Sequence, residues 1–142
     1  MKRAYFLVLG AALAVVSYSC SLDDDQTNFQ YTTLEAVGAN LPDTFEFGRV
    51  YNIDVDLFRP DDCTFSETFN DRREFLDSVN VRTFAAIGIV LDNGEECMPT
   101  NDTITDSFQF EVRFTEPYLF RFYTGDDEND EPEFLEIEVP VK

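Results

Sequence analysis

Histidine is absent from these 142 residues, and so is tryptophan. Without histidine the chain lacks the commonest general base and the commonest metal ligand. Ser-His-Asp and Cys-His catalytic arrangements cannot be built, and neither can a mixed Cys/His zinc site. The six glycines are too scattered to make a phosphate-binding loop. Lysine occurs only at Lys2 and Lys142, and a terminal lysine is a poor Schiff-base candidate. Basic residues number 10 against 29 acidic ones, a net charge of −19. Such a field repels nucleic acid and anionic lipid, which excludes DNA, RNA and polybasic membrane docking. Long apolar runs are missing too. The stretch Ala4 to Val16 falls short of the about 20 residues a membrane-spanning helix needs.

That stretch has another use. Lys2 and Arg3 precede it as a short positive region, and Ser17, Tyr18 and Ser19 lead from it into Cys20. This is the layout of a secretory leader. With Cys20 at its end, the segment resembles a bacterial lipoprotein signal, in which the cysteine is acylated and becomes the first residue of the mature chain. Ser17 stands where that pattern usually has leucine, and Tyr18 is bulkier than its small residues. The resemblance implies a leader over residues 1–19 and a lipid on Cys20. Ser21 follows the cysteine, where aspartate would resemble an inner-membrane retention signal. The run Asp23-Asp24-Asp25 resembles the acidic signal that sends some Gram-negative lipoproteins to the cell surface, and reads equally as a solvated linker. The expected location is the outer membrane of a Gram-negative bacterium, lipid-anchored, with exposure at the cell surface as one outcome.

Lipidation would consume one of three cysteines. Cys63 and Cys97 then remain as one pair in an oxidising compartment. A bridge would close a loop of roughly 35 residues and stabilise by roughly 3–4 kcal/mol on the chain-entropy model. Two free thiols, or half of a metal site, are the competing readings, and two cysteines alone are too few for zinc.

Residues 20–30 are polar and acidic and read as a tether; the domain is expected over residues 31–142. Its apolar fraction is ordinary for a folded protein, and fifteen Phe with six Tyr point to a ring-filled core. Thr32, Leu34, Ala36 and Val37 suggest a weak first strand, closed by Gly38-Ala39-Asn40 and Pro42. Period-2 alternation is clear in Tyr51-Ile53-Val55-Leu57, Phe108-Phe110-Val112-Phe114, Tyr118-Phe120-Phe122 and Leu135-Ile137-Val139-Val141. Pro140 marks the last of these as an edge. Phe84 to Leu91 is apolar at every position and predicts a central strand covered on both faces, with Gly88 at a bulge or close approach. Residues 65–78 read as a short amphipathic helix or an irregular excursion, with the excursion preferred. Short strands with no long helix predict an all-β fold, a single antiparallel β-sandwich of about seven strands. Pro117-Tyr118-Leu119-Phe120 resembles the tyrosine corner of immunoglobulin-like domains, which implies that class of sandwich.

The chemistry on offer is thin, and the expectation is a non-catalytic protein. A carboxylate pair for glycoside hydrolysis is the residual enzymatic reading. No cofactor is expected beyond calcium at the acidic run Asp126 to Glu133. Asp126, Glu128 and Asp130 alternate as hard oxygen ligands there, although Glu131 and Ile137 break the EF-hand pattern. A solvated hairpin tip is the plainer reading. Tyr123, Phe134 and Phe58 are candidate exposed rings for stacking on a sugar or a partner. The functional expectation is an accessory or subunit of an outer-membrane protein complex. A surface module for a glycan or divalent cation is the alternative.

Overall fold

The structure is a computed structural model; it describes residues 28–76, 79–92, 94 and 96–142, without the side chains of 75, 76 and 79. Cys20, the leader and most of the tether lie outside the described residues. All regular structure within them is strand. β1 is Asn28–Leu34, β2 Ala36–Asn40, β3 Val50–Asp61, β4 Thr64–Leu76, β5 Val79–Asp92, β6 Pro99–Glu111, β7 Tyr118–Asp126 and β8 Pro132–Val139. Among the described residues no helix is long and apolar enough to cross a membrane.

The strands form two sheets. One runs β2-β3-β6. In the other, β5 is the hub: β4 pairs along one side, while β1 and β7 share the other side end to end, and β8 closes the row beyond β7. The first strand is divided between the sheets at Glu35, and Leu34 and Ala36 on either side of it both point into the core. The expected weak strand is therefore two strands, and Gly38-Ala39-Asn40 belongs to the second instead of ending the first. The sheets are not wholly antiparallel, since β5 and β7 run parallel over Asn80–Phe84.

The alternating positions meet between the layers. Ile53, Val55, Leu57, Phe110, Val112, Tyr118, Phe120, Phe122 and Val139 are all buried there. Phe84 stacks on Phe108 at 4.5 Å across the layers, and Phe110 meets Phe120 edge-on at 4.9 Å. Phe45, fully buried from the β2–β3 connection, plugs one end and bridges to Val141.

The segment expected as excursion or helix is instead strand β4, hairpinned to β5. A bulge between Ser66 and Thr68 shifts its parity. Phe65 therefore faces outward and Phe69 inward although four residues separate them, a spacing that looks helical in one dimension. Gly88 sits opposite that bulge. An added Cβ would come within 2.9 Å of both Leu34 Cγ and the Phe65 carbonyl oxygen, so close approach requires glycine.

Candidate functional sites

β3 leads to β4, and β5 to β6, by connections that pass from one sheet to the other. Cys63 and Cys97 lie in these two crossovers and form a disulfide, with Cα atoms 5.6 Å apart. Backbone bonds from Asp62 N–H to the Met98 carbonyl and from Leu91 N–H to the Cys63 carbonyl knit the same corner. Asp61 Oδ1 accepts from Cys63 N–H and Thr64 Oγ. Asp61, Cys63 and Cys97 are the one trio of potential metal-ligand atoms that converge within 4.8 Å among the described residues. Both sulfurs are spent in the disulfide, so this trio offers no thiolate to a metal.

The carboxylates of Asp126, Glu128 and Asp130 do not converge in that way. The hairpin tip is organised by Asp127, a residue that the alternation of acids does not single out. Its Oδ1 accepts from the N–H groups of Asn129 at 2.7 Å and Glu131 at 3.0 Å. These backbone donors hold its carboxyl below the ordinary carboxylate range. Asp126 turns toward Tyr123, whose hydroxyl is pushed up first by burial and then by that carboxylate. Tyr123 and Phe134 pack edge-on against each other at 6.3 Å, with the Arg121 guanidinium 4.3 Å from the Phe134 ring centroid. Phe58 is half-buried, its backbone N–H bonded to the Glu35 carbonyl. The Tyr123 and Phe134 rings thus have partners within the chain, while Phe58 is partly buried.

Exposed rings occur elsewhere. Register places Tyr31, Ile89 and Phe65 side by side across β1, β5 and β4, on the side of the sheet away from the core. Phe29 pairs with Leu91 on the same face, and Ile87 lies one row further along. Tyr31 is 68% exposed, Phe29 49% and Phe65 42%. The expectation that β5 is covered on both faces is thus met on one. Phe84, Ala86 and Gly88 are buried, while Ile87, Ile89 and Leu91 are screened only by their strand neighbours. The patch begins at Asn28, within the stretch expected as tether.

A second feature lies where β4 and β6, the two edges on one side of the molecule, face each other. An open concavity of about 360 Å³ is lined by Arg73, Arg82 and Arg113 together with Val50, Gln109, Phe110 and Glu111. Arg82 is directed inward, its side chain 12% exposed. It lies 5.0 Å from the Phe110 ring centroid and is bonded through both Nε and a terminal nitrogen to Asp71. Arg73 is its direct cross-strand partner. Arg113, from the chain just beyond β6, donates to Glu111 at 2.7 Å.

Tyr118 closes the connection that follows. Its hydroxyl accepts from the backbone N–H groups of Arg113 and Phe114, each at 3.0 Å. That is the bonding pattern a tyrosine corner requires.

Compared with family models, with curated proteins and with solved structures, the chain matches none.

Proposed function

We propose that this chain is a non-catalytic envelope lipoprotein, anchored through Cys20 to the outer membrane, that serves as an accessory subunit of a membrane-protein complex. Its fold on this reading is an immunoglobulin-like β-sandwich, and the Tyr118 corner supports that assignment. The observation that carries the functional reading is the Tyr31-Ile89-Phe65 row. β5 has a sequence suited to burial on both faces, yet its own chain covers one among the described residues. Contiguous apolar surface rimmed by polar groups marks an interaction site. Aromatic anchors are the residues on which protein interfaces concentrate their energy.

Position adds to this. The patch starts eight residues from Cys20, a span that bridges at most about 30 Å when fully extended. A lipid anchor there keeps the face close to the bilayer, where an integral membrane partner presents its loops. The proposed occupant is the apolar surface of such a protein. The strong negative charge disfavours the alternative of lying on anionic lipid.

Photo-crosslinking checks the assignment. A photoreactive residue replacing Tyr31 in the lipidated chain is expected to give one discrete adduct with an integral membrane protein, and the same residue at Asn129 none. Equal labelling from both positions, or lipid adducts alone from position 31, would contradict it.

A further inference from the structure

The geometry points to the arginine-lined concavity between β4 and β6 as a binding site for a small carboxylate-bearing sugar, of the size and charge of a uronic acid. The site is separate from the apolar docking face and stands without it. Its case begins with charge. In a chain that carries 29 acids and few cations, three arginines line one hollow. Two of them, Arg73 and Arg82, occupy directly opposed positions on β4 and β5. Like charges directly opposite destabilise a sheet; Asp71 offsets this at Arg82, and Arg73 remains for a bound anion to compensate.

The surroundings set the charge of that anion. Asp71 already neutralises Arg82 through two bonds, and Glu111 pairs with Arg113. Among the described residues Arg73 has no ion pair; its guanidinium lies 5.9 Å from the Phe114 ring centroid. Among the described residues the three arginines and these two carboxylates leave one positive charge in excess, which suits a single carboxylate. Planar guanidinium groups match carboxylate geometry and give it direction.

The remaining lining matches the rest of a sugar acid. Gln109 and Glu111 line the hollow from β6, and residues of these types bond hydroxyls. Val50 gives an apolar wall for C–H faces, and it is largely exposed at the rim. The volume lies at the small end of the range of roughly 300–1,000 Å³ typical of small-molecule sites, which suits one sugar ring better than a long chain.

The test is a chemical-shift titration of the full lipidated protein in detergent, with sodium glucuronate, glucose and acetate as probes. Glucuronate is expected to bind saturably and to move the Arg73 and Arg113 side-chain signals. Glucose and acetate should each bind at least about tenfold more weakly. Arg73→Gln is expected to weaken glucuronate by about tenfold or more. Arg72→Gln, whose side chain is turned away and paired with Glu74, should leave it unchanged. Arg113→Gln, at a largely exposed position, supplies the same loss should Arg73→Gln prevent folding. Three results would overturn the assignment: no saturation with glucuronate, equal affinity for acetate, or equal effects of the Arg72 and Arg73 variants.

Discussion

Tyr118 shows what one atom contributes in this molecule. Its ring is buried among Phe45, Phe110 and Phe120, while its hydroxyl satisfies two backbone N–H groups at the β6–β7 connection. Tyr118→Phe keeps the ring and strips both bonds, so urea unfolding should register a loss of about 1–3 kcal/mol. Gly88→Ala acts by the opposite route. The new methyl meets a backbone oxygen that cannot swing aside, and a cost of about 1–3 kcal/mol is expected from overpacking. Asp127 brings in pH. Its carboxyl has a lowered folded-state value because Asn129 and Glu131 N–H groups favour the charged form. A depressed carboxylate contributes stability that is present above its unfolded value and lost as pH falls through its folded value. Acidification below the ordinary carboxylate range should therefore shift the Asn129 and Glu131 amide resonances together. Asp127→Asn should abolish that shared titration.

β4 holds the main lesson of the strands. Four alternating segments were legible in the sequence because one buried and one solvated face leave a period of two. β4 was not, because its bulge between Ser66 and Thr68 breaks the period in the middle and exposes Phe65. Partners are the second thing that sequence hides. The run Phe84 to Leu91 announced an apolar strand, but which residues flank Ile89 depends on registers with β1 and β4. Arg73 and Arg82 likewise stand nine positions apart in the chain and meet only through the hairpin register. The calcium reading came from alternation of acids alone, whereas the turn at the hairpin tip is built on Asp127, which accepts from Asn129 and Glu131 N–H groups. The cysteine pair was legible by parity once a lipid was assigned to Cys20. In space it joins the β3–β4 and β5–β6 crossovers between the sheets. Replacing Cys63 and Cys97 by serine should cost about 2–5 kcal/mol in chemical denaturation, and both crossovers should gain amide exchange.

The whole molecule presents three surfaces of different character. The exterior carries the charge of a chain with 29 acidic residues against 10 basic ones. One open side gathers arginines between two sheet edges. One sheet face, at the N-terminal end of the described residues, shows exposed Phe29, Tyr31 and Phe65 around the central apolar strand. On the proposed reading, a lipid anchor at Cys20 would raise partner affinity by confining both molecules to one membrane. The most direct test is an affinity pull-down of the lipidated protein from gently solubilised envelope, run beside Tyr31→Asp with folding verified by its melting curve. The account predicts a stoichiometric integral membrane partner with the unaltered chain and its loss with the variant. Recovery of the chain alone in both cases, or equal recovery of the same partner, would contradict it.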